Sequence, residues 1–368
     1  MVRPLRLPLI AMAATALLAG LHAGLQRIGA ISISDTGELA LWHGPLMVAG
    51  FFATLIGLER AVAHGARWLY AAPVLSGAAG LFLLAGADAS QAAFLAAVGA
   101  AILAMGAATA ARQHPEMFMA VLAAGTFALL VANLLWLIDG LSPAVAFWWA
   151  GFLLLVVAGE RLELSRVLQH GRLVNGLFLA AAAGLVAGLG LLLIDERLGH
   201  LLLGVALLAL AVWLLVFDVA RRTIRGRGPT RYMAAALLAG YAWLGLAGIL
   251  LMLPDPLAGF GYDAILHALF VGFAFSMVFA HAAVIFPAVI GVAMPYTRLF
   301  YVPLVLLHGS LALRIGADAS ELASERGLAG ALNGGAILLF FLLLASAAAA
   351  AHHHRVRTRS HASEGLPS

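Results

Sequence analysis

Residues 40–61 read ALWHGPLMVAGFFATLIGLERA, an apolar run long enough to cross a lipid bilayer. A transmembrane helix needs about 20 mostly apolar residues. The run nevertheless contains His43 near one end and the pair Glu59–Arg60 near the other. Ionisable side chains are costly inside a membrane and usually face the interior of a helix bundle, where they mark a function. Their role therefore depends on which residues lie at the same depth elsewhere in the chain.

The composition predicts an all-α polytopic membrane protein. Of the 368 residues, 64% are hydrophobic and 10% are charged, whereas a soluble domain is about half apolar and roughly a quarter charged. All 21 basic residues are arginines in or near short loops, so the net charge of +4 reflects membrane topology and not nucleic-acid binding. The absence of cysteine excludes disulfides, thiolate metal sites, iron–sulfur clusters and covalently attached haem.

Twelve apolar segments are long enough to span a bilayer. They lie at 5–25, 38–63, 68–86, 92–111, 117–138, 143–164, 173–194, 198–219, 232–253, 264–290, 299–315 and 328–349. The short connections predict one transmembrane domain over residues 1–351, followed by a polar, disordered tail over 352–368. The first segment follows two arginines as a signal peptide would, but its length and its poor cleavage site favour a retained helix.

The arginines predict the orientation of the chain. If the N-terminus is cytoplasmic, 17 of the 21 arginines lie at cytoplasmic ends of the spans. Only Arg27, Arg197, Arg314 and Arg326 lie at outer ends. The positive-inside rule therefore predicts that both termini are cytoplasmic, in a bacterial-type inner membrane.

Four histidines of the predicted outer half are candidate cofactor ligands: His22, His43, His267 and His308. Neutral imidazole binds iron, copper and zinc, and two such ligands on facing helices can hold a haem inside a bundle. His43 and His267 lie at similar depths and are the predicted axial pair of a b-type haem, with copper as the alternative metal. His22 and His308 are candidates for a second ligand set or for hydrogen bonds to haem carboxylates. The competing interpretation is that each histidine only bonds a neighbouring helix.

A polar cluster is predicted at the cytoplasmic ends of the second, sixth and tenth spans. Its members are Glu59, Arg60, Glu160, Arg161 and His281. The cluster either anchors these ends at the lipid interface or admits protons. The segments GFFATLIGLER and GFAFSMVFAHA align Gly50 with Gly272 and Glu59 with His281. Because the three spans are four apart, this echo predicts a pseudo-threefold arrangement of four-helix units.

Histidines on the second and tenth of twelve helices resemble subunit I of the haem–copper oxidases. That resemblance implies a low-spin haem between His43 and His267. The chain departs from the family because its spans hold no His-His pair for copper and its tenth span holds no His-x-His. Reduction of oxygen or nitric oxide at a binuclear centre is therefore not expected.

A second resemblance is to the NnrS family, membrane proteins associated with haem, copper and nitric oxide stress. Residues 43–51, HGPLMVAGF, are similar to its pattern His-Ala-His-Glu-Met-x-x-Gly-Phe, and residues 267–272, HALFVG, are similar to His-Ala-Leu-x-Val-Gly. Pro45 and Leu46 replace the second His and the Glu, so this resemblance implies one axial ligand from each helix.

The sequence thus predicts a haem-binding membrane protein with a redox or nitric-oxide-stress role, supplied by an electron-donor protein. No catalytic residue is assigned. The alternatives are a proton-coupled secondary transporter that uses His43, His267 and His308, and a non-catalytic membrane subunit. Visible absorption distinguishes the first class from the other two.

Overall fold

The structure is a computed structural model that describes residues 6–31, 38–292, 294–320 and 322–364. Every regular element in these ranges is a helix, and twelve helices are long and apolar enough to cross a membrane. The predictions of an all-helical chain and of twelve such segments are confirmed. Twelve apolar helices indicate a multi-pass membrane protein.

The twelve helices follow the chain in order, and most are joined by short connections. They are α1 Arg6–Arg27, α2 His43–His64, α3 Arg67–Leu84, α4 Ala89–Gln113, α5 Met117–Asp139, α6 Pro143–Leu168, α7 Arg172–Leu191, α8 Glu196–Phe217, α9 Gly228–Leu251, α10 Gly261–Val289, α11 Arg298–Ala319 and α12 Ser324–Ala351. The helix that contains α12 runs over Ala323–Glu364 and so enters the predicted tail. Residues 365–368 lie outside the described residues, and the predicted disorder of the tail stays a prediction.

Helices α2, α6 and α10 form the centre of the bundle. Their most apolar windows are 67%, 78% and 61% buried, whereas no other helix exceeds 56%. Aromatic contacts join α2 to α10, since the ring of Phe275 lies 5.4 Å from that of Phe52 and 6.0 Å from that of Phe51. The central helices are the three that carry the predicted polar cluster, with Glu59–Arg60 on α2, Glu160–Arg161 on α6 and His281 on α10. The predicted pseudo-threefold symmetry stays a prediction.

Two of the central helices contain a π-helical segment. In α2 the π segment covers Leu46–Phe52, and in α10 it covers Ala268–Ala274. Each ends with an i→i−5 hydrogen bond, from Ala53 N to Val48 O and from Phe275 N to Phe270 O. The two segments coincide in the register that aligns Gly50 with Gly272. π segments are rare and often lie at functional sites, and both of these begin just after a candidate histidine.

Candidate functional site

A cavity of about 370 Å³ lies between α1, α2, α6, α10, α11 and α12, at the end of the bundle where α1 stops. Small-molecule sites commonly enclose ~300–1,000 Å³. Both His43 and His267 line this cavity. The structure therefore brings the predicted axial pair to one site from two different helices.

Each of the two histidines is held by a backbone carbonyl. Nδ1 of His43 donates to the oxygen of Gly20 at 2.7 Å, and Nδ1 of His267 donates to the oxygen of Asp263 at 2.8 Å. The Asp263 carboxylate lies 3.4 Å from the same nitrogen of His267. A neutral imidazole that donates from Nδ1 keeps its lone pair on Nε2, which is the usual arrangement of a metal-binding histidine.

Two glycines on one face of α1 make room for the α2 side of the cavity. A Cβ on Gly24 would lie 2.8 Å from Nδ1 and Cε1 of His43, and one on Gly20 would lie 2.7 Å from Sδ of Met47. Residues four apart lie on the same helix face, and small residues there let two helices approach closely. Sequence reasoning missed this pair, although the Gly-x-x-x-Gly spacing was the available signal.

The cavity walls are mainly apolar. Met47 and Phe52 contribute from α2, Phe270 and Phe275 from α10, and Trp149 from α6. The indole of Trp149 is fixed because its Nε1 donates to the side-chain oxygen of a buried asparagine, Asn133, at 2.9 Å. A flat, largely apolar ligand would find complementary walls here.

The mouth of the cavity carries a charged network. Arg314 donates to the carboxylate of Asp263 at 2.7 and 3.1 Å, and Arg326 lies 3.1 Å from the same carboxylate. Arg326 also donates to Asp318 at 2.7 Å. Arg27 lines the cavity as well, so three guanidinium groups face two carboxylates. The excess of arginine suits a ligand with carboxylate groups.

The other two histidine candidates do not line the cavity. His22 is partly exposed on α1. His308 accepts a hydrogen bond at Nδ1 from Nε1 of Trp243 at 2.9 Å, which places its proton on Nε2. That contact joins α9 to α11, as the helix-bonding interpretation expects. A role for either residue in a second ligand set stays a prediction without support from this geometry.

The predicted polar cluster is assembled at the other end of the central helices. Arg60 bridges the carboxylates of Glu160 and Glu59, the latter at 3.4 Å. Arg161 pairs with Asp218 at 2.8 and 2.9 Å, and both side chains are buried. Asp218 follows α8 directly and was not predicted as a member, because its partner is 57 residues away in sequence.

Nη1 of Arg161 also lies 3.5 Å from Nε2 of His281, which completes the cluster. The described residues contain no group of three or more histidine, aspartate or glutamate side chains arranged to hold a metal ion. The copper alternative stays a prediction.

Comparison with known proteins places the chain in one family. The chain belongs to the family described as domain of unknown function DUF8744, whose model matches residues 6–349. No curated protein and no solved structure matches it. The match covers both the cavity and the polar cluster, and the resemblance to the NnrS family stays a prediction.

Proposed function

We propose that this DUF8744 protein binds a b-type haem in the cavity between α2 and α10, with His43 and His267 as the axial ligands. The haem would serve redox chemistry or the response to nitric oxide stress. One observation carries the proposal. Two histidines from different helices line one cavity, and a backbone carbonyl holds Nδ1 of each, which leaves both Nε2 atoms with lone pairs.

The residues of the cavity fit this group. A haem brings four nitrogen ligands of its own, so two imidazoles suffice even though the described residues hold no three-residue metal site. The apolar walls suit the macrocycle, and the arginines at the mouth suit its two propionates. The haem would supply one-electron exchange between ferric and ferrous iron.

The protein's own groups would orient the ligands and exclude water. The Gly20 carbonyl fixes the ring of His43, and Asp263 fixes that of His267 through its carbonyl and its carboxylate. Arg314 and Arg326 in turn hold Asp263 in place. Carboxylate contacts of this kind raise the basicity of a ligating imidazole. The two proposed ligands therefore differ, since the carboxylate of Asp263 lies 3.4 Å from Nδ1 of His267, whereas Nδ1 of His43 contacts the carbonyl of Gly20.

The proposal includes an orientation in the membrane. The arginine distribution supports cytoplasmic termini in a bacterial-type inner membrane, which puts the cavity in the outer half and the polar cluster on the cytoplasmic side. The matching π segments of α2 and α10 support the predicted internal repeat that relates these two helices. A soluble electron donor would reach the haem from the side where the cavity opens.

The first test is an optical spectrum of the purified protein, oxidised and then reduced with dithionite, with a pyridine haemochrome assay. A sharp α-band in the reduced state is expected, and it should be lost in His43→Ala and in His267→Ala. His308→Ala removes a histidine outside the cavity and should keep the band. A colourless protein from haem-replete cells would refute the proposal and favour the transporter or the non-catalytic subunit.

A further inference from the structure

We propose that a second cavity, at the Glu59 end of the same central helices, binds the ring of a membrane-soluble hydroquinone. The cavity has a volume of about 110 Å³ and lies between α1, α2, α6 and α10. Fifteen of its eighteen lining residues are apolar, and the other three are Glu59, Glu160 and His281. The cavity is thus an apolar space with one polar edge, as small-molecule sites usually are.

The polar edge offers hydrogen-bond acceptors. Arg60 takes one oxygen of each carboxylate, and within the described ranges the second oxygen of each has no protein partner. His281 donates from Nδ1 to the backbone oxygen of Met277 at 2.9 Å, so its Nε2 carries a lone pair. The nearest donor to that atom is Arg161, at the long distance of 3.5 Å. A ligand must therefore bring O–H or N–H donors.

The two carboxylates of the cavity share one counter-ion, since Arg60 contacts both Glu59 and Glu160. A second guanidinium group, that of Arg6, donates at 2.8 Å to the backbone oxygen of Val289, a lining residue. Arg161 and Asp218 neutralise each other. An anionic lipid would meet two carboxylates at the polar edge and would be repelled.

The volume limits the ligand to one ring. An engineered apolar cavity of ~150 Å³ holds benzene, so a space of about 110 Å³ admits no more than one ring, and an alkyl tail must lie outside it. The acceptors come from three helices, so a compact head with two donors satisfies them best. A diphenol has this chemistry, and the choice of a hydroquinone among diphenols rests on the proposed redox function. Its quinone form has no O–H donor and should bind more weakly.

The position of the cavity agrees with a hydroquinone that takes part in the proposed redox function. Phe52 lines both this cavity and the larger one that holds His43 and His267. The two spaces therefore share a wall on α2. Glu59, Glu160 and His281 are also groups that can accept the protons of a hydroquinone.

The test is calorimetric binding of 2-decylhydroquinone to the purified full-length chain in nanodiscs, under argon. The control ligand is its dimethyl ether, which has the same skeleton and no donors. We expect the ether to bind at least about tenfold more weakly, since it cannot donate hydrogen bonds to the charged acceptors of the cavity. Equal binding of the two ligands, or no binding of either, would overturn the proposal.

Variants locate the site. Glu160→Gln and His281→Gln should each lower the affinity for the hydroquinone at least about tenfold. Glu163→Gln makes the same change at an exposed position on α6 and should leave the affinity unchanged. Unaltered binding in both cavity variants, or displacement by dodecyltrimethylammonium, would refute the assignment. The measurement does not use absorbance, so the haem proposal and this one can fail separately.

Discussion

At the scale of single residues, Gly24 determines where the ring of His43 can lie. A Cβ at this position would come within 2.8 Å of the imidazole, so Gly24→Ala must displace either His43 or α1. We expect a loss of about 1–3 kcal/mol in the free energy of unfolding, as is typical of overpacking. A broadened or weakened reduced haem band should accompany it. Thermal unfolding in detergent and the haemochrome assay measure the two effects.

The matched control for Gly24→Ala is Gly309→Ala, a glycine in α11 where an added Cβ would meet no atom within 4 Å. There the added methyl group should be neutral or stabilising by up to ~1 kcal/mol, because alanine has the higher helix propensity. If Gly24→Ala behaves like this control in both measurements, the close approach of α1 to His43 does not hold.

A second residue-scale prediction concerns the buried pair of Arg161 and Asp218. Asp218→Asn leaves a guanidinium buried without its charge partner, which should cost about 3–5 kcal/mol. The same substitution at Asp195, an exposed residue at the start of α8, should change the free energy of unfolding little, because its carboxylate only caps the helix. The measurement is the midpoint of thermal unfolding of each variant. Similar midpoints would contradict the structural importance of the Arg161–Asp218 pair.

At the scale of helices, the π segment of α2 sets the direction of His43. A π segment holds one residue more than the α-helical path it replaces. Deletion of Ala49 should convert Leu46–Phe52 to α-helix and rotate the preceding turn by about 100° around the helix axis. His43 would then leave the cavity, and haem should be lost although the helix content by circular dichroism stays the same. The control is Val48→Ala, which keeps the length of the segment and should keep the haem.

The π segments are also a part of the candidate site that the sequence could not predict. Twelve helices, their approximate ends and the meeting of His43 with His267 followed from apolar length and depth. The π turns could not be predicted, because Leu46–Phe52 has the same apolar composition as an ordinary span. Arg314 and Arg326 were assigned only to topology, since their partner Asp263 lies 51 or more residues away. Contacts between distant helices have no local signal in a chain this apolar.

At the scale of the whole molecule, the orientation decides which compartment each cavity faces. The chain contains no cysteine, so single cysteines can report accessibility without a prior change of background. Gln113 ends α4 and Asp139 ends α5, and both side chains are exposed. If the termini are cytoplasmic, Asp139→Cys should react with a membrane-impermeant maleimide in intact spheroplasts. Gln113→Cys should react only after lysis.

The opposite labelling pattern would mean that the protein has the inverted orientation in the membrane. It would place Arg27, Arg314 and Arg326 on the cytoplasmic side with 17 arginines facing outward, against the positive-inside rule. The cavity of His43 and His267 would then open toward the cytoplasm, and its electron-donor protein would have to be cytoplasmic. With the expected pattern, the electron donor or the nitric oxide signal of the proposed function would reach this cavity from outside, and the Glu59 cavity would lie near the cytoplasmic face. The proposed haem site and the proposed hydroquinone site would then lie toward opposite faces of the membrane, along the same central helices.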